Sequence, residues 1–334
     1  MSKGFWADRP VLVTGATGLL GSWMCSELVE RGASVVALIR DHVPHSAFFY
    51  RQLDRQVRVV HGELEDYFTL ERTLNEYEIE TIFHFGAQTI VGAANRSPRA
   101  TFQANIMGTV NVLEAARQSA LVRRVVVASS DKAYGEQATL PYTEEAPLTG
   151  RHPYDVSKSC TDLIAQSYFH TYRLPVCIAR CGNLYGLGDQ NTNRIVPGTI
   201  YKYWQGEPPI IRSNGTMTRD YFYVRDAVMA YLTLAAAMDD EQFWGEAFNF
   251  GTEQPVSVLD IVQRIGHIMG CEAITPTILG EANNEIPHQW LACDKAHRLL
   301  QWSPAYDLDR GLAEAIPMIV QYFEDNRPAS SRKN

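Results

Sequence analysis

The sequence predicts an α/β protein: a Rossmann-type doubly wound parallel sheet with a smaller mixed α/β C-terminal substrate lobe. Short apolar segments rich in β-branched residues alternate with helical segments through the first half of the 334 residues. A glycine-rich turn over 15–21 lies between the first apolar segment and the first helix. After residue 182 the elements become shorter and richer in proline and asparagine, which indicates a change of architecture.

The first strand is predicted over 11–14 and the first helix over 19–31. Gly15 and Gly18 let the backbone turn sharply and let a pyrophosphate approach the main chain, while Gly21 lets the helix pack closely on the sheet. The helix N-terminus favours the phosphates of a dinucleotide. The residues expected to hold them are Gly15, Thr17, Gly18, Leu19, Leu20 and Gly21. A purely structural glycine turn is the alternative.

The second strand, predicted over 34–39, ends where an acidic residue would bind the adenosine ribose. Asp41 can bind the ribose of NAD, whereas Arg40 can stack on adenine or contact the 2′-phosphate of NADP. These residues favour NAD and leave NADP open. Further along, Glu63 and Leu64 are placed to bracket the adenine, although Glu63 can equally be a solvated loop charge.

The remaining elements of the first half continue the alternation. Strands are predicted over 57–61, 81–85, 124–128 and 176–180, and helices over 99–118 and 154–172. After the fourth strand, Gly86, Ala87 and Gln88 are expected at the nicotinamide, where small residues allow a close approach, and Asn105 is expected to join them. His84 is predicted to be a core histidine and not a catalytic one.

A serine, a tyrosine and a lysine form the candidate catalytic set. Tyr154 and Lys158 are one helical turn apart, so they share a helix face, and the Lys158 ammonium is expected beside the phenol, favouring the phenolate. Tyr154 can then take a proton from a substrate hydroxyl while Ser130 hydrogen-bonds the same oxygen and a nicotinamide receives the hydride. The alternative is a buried tyrosine and a surface lysine that fall in register by chance.

Composition excludes several classes of protein. A net charge of −8 argues against a nucleic-acid or anionic-membrane surface. The six cysteines show no metal-binding spacing, so we expect no metal and read them as buried thiols of a reducing cytoplasm. No apolar segment is long enough to cross a bilayer and no signal sequence precedes the first strand, so a cytoplasmic protein is expected.

Two domains are expected. Residues 1–182 would form the dinucleotide-binding Rossmann domain, and residues 183–334 mainly a nucleotide-sugar-binding lobe. The segment 219–251 is expected to return to the Rossmann domain.

From about Phe5 to Ile316 the chain resembles the extended short-chain dehydrogenase/reductases that act on nucleotide sugars, and within them it is most similar to the CDP-glucose 4,6-dehydratases. The resembling segments are Gly15-x-x-Gly18-x-x-Gly21, Phe5-Trp6, Gly21-Ser22-Trp23, Ser130-Asp131-Lys132, Gly182-Asn183, Gly188-Asp189 and Asn193-Arg194-Ile195-Val196-Pro197. Gly135-Glu136 and Leu184-Tyr185-Gly186 instead match epimerases and other dehydratases, which leaves the nucleotide open.

The resemblance implies a mechanism for the catalytic set. Tyr154 would deprotonate the sugar 4-hydroxyl as NAD takes the hydride from carbon 4, and water would then be lost across carbons 5 and 6 before the hydride returns to carbon 6. Asp131 would be the acid, which requires a desolvated or negative environment, and Lys132 would be the base. A lysine titrating near ~10.4 is a poor base unless burial or a nearby cation changes it. Lys132 can instead be a salt-bridge partner of Asp131.

The resemblance also implies a substrate site and an assembly. Arg219 and Asn183 would bind the diphosphate, Arg194 and Pro197 would lie at the base-binding segment, and Arg212 and Gln289 could close over the nucleotide or phosphate. A homodimer is expected because the family pairs the helices predicted over 99–118 and 154–172 across its interface. A nucleotide-sugar 4-epimerase, which needs neither Asp131 nor Lys132, and a non-catalytic NAD(P)-binding regulator are the alternatives.

Overall fold

The computed structural model describes residues 4–281 and 286–327. Its centre is a sheet of seven parallel strands in the order β10-β6-β5-β4-β1-β2-β3. These strands are β1 (Pro10–Thr14), β2 (Ser34–Ile39), β3 (Arg58–His61), β4 (Thr81–His84), β5 (Arg124–Ala128), β6 (Val176–Cys181) and β10 (Ala247–Phe250). The order reverses at β1, so the crevice for a ligand lies at the carboxyl ends of β1 and β4.

Helices cover both faces of this sheet. In chain order the helices of the protein are α1 (Leu19–Glu30), α2 (Ala47–Tyr50), α3 (Tyr67–Glu76), α4 (Val91–Arg96), α5 (Pro98–Phe102), α6 (Gly108–Gln118), α7 (Pro153–Tyr172), α8 (Ile195–Trp204), α9 (Val224–Ala237), α10 (Val258–Ile268), α11 (Asp294–Leu300) and α12 (Leu308–Asp325). Three-residue to four-residue 3₁₀ turns lie at Leu53–Arg55, Asp131–Tyr134 and Glu241–Phe243.

The sheet's alternating side chains divide the core in two. Val11 and Val13 of β1 pack with α1 and α9 on one face, whereas Leu12 between them packs with α3, α6 and α7 on the other. This is the period of two expected of a strand, and both faces are apolar because helices cover both. The strands are thereby held rigid, and their carboxyl ends present loops at one edge of the sheet.

The smaller lobe is built around a second sheet and three helices. The strands outside the central sheet are β7 (Asn183–Tyr185), β8 (Ile210–Ile211), β9 (Thr218–Tyr223), β11 (Pro255–Ser257), β12 (Thr277–Ile278) and β13 (His288–Gln289). The strands β7, β11 and β13 all pair with β9. Apolar side chains of α8, α10 and α12 form this lobe's core.

The fold prediction is confirmed, with local differences. Within the segment 219–251, β9 belongs to the small sheet, while α9 and β10 lie on the central sheet. The helix predicted over 99–118 runs from Pro98 to Gln118 but contains a π-helical segment at Gln103–Met107. Among the residues described, no helix is long and apolar enough to cross a bilayer.

The expectation that all six cysteines are buried is wrong for two of them. All six are free thiols, but Cys160 and Cys271 are only partly buried. Cys160 lies on α7 and Cys271 follows α10, and each therefore reaches the surface on a helix or turn whose other side packs inward.

Candidate active site

The glycine-rich turn after β1 has the geometry that the sequence predicts. Gly15 has a φ of +68°, and a Cβ there would lie 2.7 Å from the backbone nitrogen of Gly86. A Cβ at Gly21 would overlap the carbonyl oxygen of Gly15, so α1 packs directly against the turn. Gly18 is the exposed N-cap of α1. The first N–H groups of α1 are therefore uncovered by side chains of the turn and fit a dinucleotide pyrophosphate.

A buried chain of hydrogen bonds fixes the loops after β1 and β4 to each other. Thr14 Oγ1 accepts from the backbone N–H groups of Phe85 and Gly86 at 3.1 and 3.0 Å and bonds to His84 Nδ1 at 2.9 Å. His84 Nε2 lies 3.0 Å from Thr109 Oγ1. Burial, with a smaller contribution from the Lys158 charge, lowers the pKa of His84 to about 3, so this ring stays neutral. His84 is a core histidine, as predicted.

Asn105 braces the loop that carries Gln88. The amide is 1% exposed, accepts from Gln88 N at 2.7 Å and donates to Gln88 O at 3.1 Å. Its Nδ2 also donates to Ser157 Oγ at 2.9 Å, and that hydroxyl donates to the carbonyl oxygen of Tyr154. The sequence predicts a cofactor contact for Asn105, whereas the structure commits its amide to protein partners. Asn105 lies in the π-helical segment, on the side that faces the loop carrying Gln88.

Tyr154 lies in the first turn of α7, beside Ser130 at the end of β5. Burial raises the pKa of the Tyr154 phenol, and the charge of Asp131 acts in the same direction. Hydrogen bonding to the Ser130 hydroxyl opposes this rise and favours the phenolate. The structure thus brings the predicted proton acceptor and the predicted hydroxyl donor together.

The position of the Lys158 ammonium differs from the expectation. Lys158 Nζ donates to the carbonyl oxygen of Ala128 at 2.7 Å, and the charge of Asp162 favours its protonated form. Burial lowers the pKa of Lys158 to about 8. The helical spacing places Tyr154 and Lys158 on one face, but a flexible four-carbon side chain can follow the carbonyl at the end of β5 instead of the phenol.

Asp131 lies buried next to Ser130. It is 2% exposed, its Oδ1 accepts from Ser130 Oγ at 3.0 Å, and its Oδ2 has no hydrogen-bond partner among the described residues. Ser129 Oγ, also buried, likewise lacks a partner in that part of the chain. A buried polar atom without a partner costs free energy, so these two oxygens are available to a ligand.

Lys132 contacts a residue of the small lobe. Its Nζ donates to the side-chain oxygen of Gln289, and Gln289 Nε2 donates to the carbonyl oxygen of Asp131 at 2.8 Å. Gln289 is completely buried. The expectation that Gln289 closes over nucleotide or phosphate is therefore wrong in this structure, because both ends of its amide bond to residues 129–134, here called the catalytic loop, and no part of Gln289 is exposed.

The two candidates for ribose recognition pair with each other. Arg40 Nε donates to Asp41 Oδ2 at 2.7 Å, and both side chains are more than half exposed. Glu63 is exposed as well, in keeping with a solvated loop charge. Leu64 is half-buried and lies against Gly86 and Gly108, where a Cβ would come within 2.8 and 2.7 Å of its side chain. Leu64 thus lines the same loop as the expected nicotinamide residues, with Ala87 next to Gly86.

The predicted diphosphate residues lie on neighbouring strands of the small sheet. Arg219 on β9 is 9% exposed and donates to the carbonyl oxygens of Thr218 and Pro287. Asn183 on β7 is half-buried and pairs in register with Tyr221, two residues along β9 from Arg219. The two side chains therefore belong to one rigid surface.

The predicted base-binding residues follow β7. Arg194 precedes α8 and bonds to Asp189 Oδ2 and to the carbonyl oxygen of Leu184, each at 2.7 Å. Pro197 is buried within α8, so it supports the segment more than it presents a surface. Arg212 is exposed and donates to Asn193 Oδ1 at 2.7 Å, at the same edge as Arg194.

Two further residues of the site were not singled out in the sequence. Asp220 is buried beside Arg219 and accepts from the N–H groups of Thr252 and Glu253; burial raises its pKa to about 6. Asp155 is buried next to Tyr154, and the charge of Lys132 opposes the rise that burial causes in its pKa. Both follow a residue that was singled out, so position next to a functional residue is the signal that would have found them.

Known proteins resemble this chain over nearly its whole length. A family profile described as GDP-mannose 4,6 dehydratase matches residues 12–315. A CDP-glucose 4,6-dehydratase of Salmonella typhimurium is 31% identical, covering 97% of this chain and 93% of that protein.

Solved structures match the fold. A dTDP-glucose 4,6-dehydratase of Streptomyces venezuelae, solved with NAD bound, superposes with a TM-score of 0.84 at 26% identity and covers 96% of this chain and 98% of that chain. A UDP-glucose 4-epimerase of Thermotoga maritima, solved with UDP-glucose, has a TM-score of 0.84 at 27% identity, with 95% and 99% covered.

Proposed function

Because the chain belongs to the GDP-mannose 4,6 dehydratase family, we propose that it is an NAD-dependent nucleotide-sugar 4,6-dehydratase of the CDP-glucose 4,6-dehydratase type. The observation that carries this proposal is the buried Asp131 carboxyl, which bonds to Ser130 and keeps one oxygen without a partner among the described residues. Loss of water needs an acid at this place, whereas 4-epimerisation needs only Ser130, Tyr154 and Lys158.

NAD would occupy the crevice between the loops after β1 and β4. The N-terminus of α1 with Gly15 and Gly18 would hold the pyrophosphate, and Asp41, with Arg40 beside it, would hold the ribose of the adenosine. When bound there, NAD supplies a hydride acceptor for carbon 4 of the sugar and later a hydride donor for carbon 6.

Tyr154 and Ser130 perform the first proton transfer. The Tyr154 oxygen takes the proton of the sugar 4-hydroxyl, and Ser130 holds the same substrate oxygen through its own hydroxyl. Burial raises the pKa of Tyr154, which makes its phenolate a stronger base toward the proton of the sugar 4-hydroxyl. Lys158, fixed on the carbonyl oxygen of Ala128, supplies positive charge behind this pair.

Asp131 and Lys132 then act on carbons 5 and 6. The Lys132 amine takes the proton from carbon 5, which the neighbouring ketone acidifies, and the electron pair forms the bond between carbons 5 and 6. Asp131 gives its proton to the 6-hydroxyl, which leaves as water. The proton on Lys132 returns to carbon 5 after carbon 6 is reduced, and in water it exchanges with solvent.

The substrate is a hexose linked to a nucleoside diphosphate, for which CDP-hexose is our specific proposal. The Salmonella relative is a CDP-glucose 4,6-dehydratase, and Asp131-Lys132 of this chain resembles the corresponding segment of the CDP-glucose 4,6-dehydratases. Arg219 and Asn183 would bind the diphosphate from neighbouring strands. Arg194, Arg212 and the segment around Pro197 would enclose the base.

The test is incubation with CDP-, dTDP-, UDP- and GDP-glucose in heavy water. The proposal expects loss of water and one deuterium at carbon 5 with CDP-glucose and with no other nucleotide at comparable rate. Preference for another nucleotide would retain the reaction and replace the substrate. Epimerised product without solvent deuterium would contradict the dehydratase and select the epimerase.

One observation favours the epimerase as the second candidate. The Lys132 nitrogen donates to Gln289, a bond that a purely structural lysine would also make. The Thermotoga maritima structure is that of an epimerase and superposes as well as the dehydratase does. In this second reading Tyr154, Ser130 and Lys158 keep their roles and Asp131 and Lys132 are structural.

We further propose a homodimer formed by the α4–α7 patch, which we define as Ile90, Val91, Met107 and Leu163. These four apolar side chains are each more than 40% exposed. The helices that carry them pack on one another, and a shallow groove formed by α5 and the π-helical segment is lined by Pro98, Phe102, Ile106 and Met107 together with Arg99 and Gln103. An exposed apolar surface of this kind is typical of a protein interface.

A further inference from the structure

Gln289 enters the catalytic loop from the other lobe. It is the last residue of β13, which pairs with β9 so that Gln289 is in register with Arg219. The chain that follows bonds to the loop after β5: Tyr142 N donates to Trp290 O at 3.0 Å, and Ala292 N donates to Tyr142 O at 2.8 Å. Gln289 is thus fixed by a backbone that is paired on both sides.

The Gln289 amide bonds to two consecutive residues of the catalytic loop. Its oxygen accepts from Lys132 Nζ, and its nitrogen donates to the carbonyl oxygen of Asp131. The side chain is 0% exposed, so water cannot satisfy the amide and its hydrogen bonds must come from the protein. Losing either partner would leave a buried polar group unsatisfied.

From this geometry we propose that Gln289 is a positioning residue that holds the Lys132 nitrogen for proton transfer at carbon 5. The inference rests on the proposed function, in which Lys132 is the base. A lysine carries its nitrogen on a flexible four-carbon chain, and proton transfer requires that nitrogen within hydrogen-bond reach of one substrate atom. Gln289 restricts Lys132 without touching the substrate.

A neutral acceptor suits this task. Both the ammonium and the amine of a lysine carry N–H donors, so the bond to the Gln289 oxygen persists in either protonation state. A carboxylate in the same place would attract the ammonium and oppose loss of its proton. Asp155, on α7, already supplies negative charge near Lys132. A neutral partner from β13 therefore holds the lysine without further favouring its protonated form.

The link also connects substrate binding with chemistry. Gln289 and Arg219 occupy paired positions on β13 and β9, and Arg219 donates to the carbonyl oxygen of Pro287, just before β13. A diphosphate held by Arg219 therefore orders β13, whose residue Gln289 bonds to Lys132. The positioning role predicts an effect on turnover that exceeds any effect on KM.

The test compares Gln289→Met, which keeps volume without an acceptor, with Gln289→Glu, which keeps the acceptor. In the protein without substrate, the rate at which an amine-acylating reagent modifies Lys132 is measured by mass spectrometry, with Lys202 as the internal reference. With substrate, kcat and KM are measured for deuterium incorporation at carbon 5. Gln205→Met, at an exposed glutamine, is the matched control.

The proposal expects Lys132 to be modified about 10-fold faster in Gln289→Met, with kcat about 10- to 100-fold lower and KM within about 3-fold of the original. In Gln289→Glu, protection of Lys132 should return. Unchanged modification of Lys132 in Gln289→Met would overturn the proposal, as would a raised KM with kcat intact, which would make Gln289 a substrate contact. Failure of the unmodified protein to exchange carbon 5 would instead overturn the proposed function, and the modification rates would still decide the role of Gln289.

Discussion

At the scale of single residues, Tyr154 has an environment with opposing effects. Burial raises the pKa of its phenol, and hydrogen bonding with the Ser130 hydroxyl counteracts the rise. The Nζ of Lys158 donates a hydrogen bond to the carbonyl oxygen of Ala128. Ser130 is therefore the group that favours the phenolate most directly in this structure.

Tyr154→Phe should abolish proton transfer from the sugar without loss of fold. Turnover should fall about 100- to 10,000-fold, because the positioned acid-base group is removed. Tyr172→Phe, at an exposed tyrosine at the other end of α7, is the control and should keep full activity. Steady-state kinetics check this, and a decrease under 10-fold in Tyr154→Phe would remove the tyrosine from the mechanism.

Lys132→Ala should stop exchange at carbon 5 while leaving the chemistry at carbon 4. The expected loss is about 100-fold or more in deuterium incorporation, because the proposed base at carbon 5 is removed. Partial reduction of the cofactor, seen by absorbance, should remain. Lys202→Ala, whose nitrogen pairs with Glu207 on the surface, should behave as the unmodified protein. Full activity of Lys132→Ala would exclude Lys132 as the base.

His84 should contribute a specific loss of stability in acid. The ordinary pKa is 6.5 and burial lowers it to about 3 in the folded protein, so below pH 6.5 the unfolded chain binds a proton that the folded protein does not. Stability due to the neutral ring is thus present above 6.5 and is lost as pH falls towards 3. Between about pH 7 and about pH 5 the loss should be on the order of 2 kcal/mol.

Urea unfolding of the unmodified protein and of His84→Gln at those two pH values measures this contribution. The glutamine keeps hydrogen-bonding groups for Thr14 and Thr109 but does not titrate. Its stability should fall less on acidification, and His170→Gln, at an exposed histidine, should retain the full decrease. Equal decreases in all three proteins would contradict the assignment.

At this scale the sequence predicted which residues belong to the site better than it predicted the partners of their side chains. Ser130, Tyr154 and Asp131 could be predicted to meet because strand ends and the first turn of a helix fix their backbones. The partners of Lys158 and Lys132 could not, since a long side chain chooses between several acceptors that only the tertiary structure supplies. Gln289 was misassigned for the same reason: its partner is 157 residues away in the chain.

At the scale of elements, the turn between β1 and α1 depends on its glycines. A Cβ at Gly21 would overlap the carbonyl oxygen of Gly15, and the neighbouring atoms are backbone that cannot move cheaply. This close approach is what brings the N-terminus of α1 to the crevice at the end of β1.

Gly21→Ala should weaken NAD binding about 10- to 100-fold, because overpacking of about 1–3 kcal/mol must be relieved by shifting the turn. Titration calorimetry with NAD measures the affinity. Gly4→Ala is the control, since a Cβ at Gly4 meets nothing within 4 Å. Equal affinity of Gly21→Ala and Gly4→Ala would show that the turn does not hold the cofactor.

Element boundaries could be predicted where apolar segments end at clear turns. The strand Ser34–Ile39 and the helix start near Leu19 agree with the sequence to within a residue. The π-helical segment Gln103–Met107 could not be predicted, because it continues the helical pattern of the sequence; Asn105 within it bonds to Gln88 and Ser157, which are distant in the chain. The pairing of β9 with β13 was missed because β13 has only two residues.

At the scale of the whole molecule, the two lobes interlock and do not follow the simple division at residue 182. The chain leaves the central sheet after β6, forms β7 and β9, and returns through α9 to place β10 beside β6. The sequence predicts both the change at 182 and the return of the segment 219–251, but not that β9 within this segment pairs in the small sheet while β10 joins the central one. The return joins the strand bearing Arg219 to the sheet that carries the catalytic loop.

The dimer proposal concerns the α4–α7 patch. The double variant Met107→Glu with Leu163→Glu should raise the dimer dissociation constant about 100-fold or more, since charges buried at an interface cost on the order of 3 kcal/mol. Analytical ultracentrifugation measures the oligomeric state. Phe68→Glu, at an exposed aromatic residue on α3, is the matched control. A monomeric unmodified protein, or a dimer that the double variant leaves intact, would contradict this interface.

The most direct test of the central claim follows a deuterium atom placed at carbon 4 of CDP-glucose. If one active site oxidises carbon 4, removes water across carbons 5 and 6 and reduces carbon 6, mass spectrometry and NMR should find that deuterium on carbon 6 of a 4-keto-6-deoxy product. Deuterium that remains on carbon 4 of an epimerised or unchanged sugar would contradict the account.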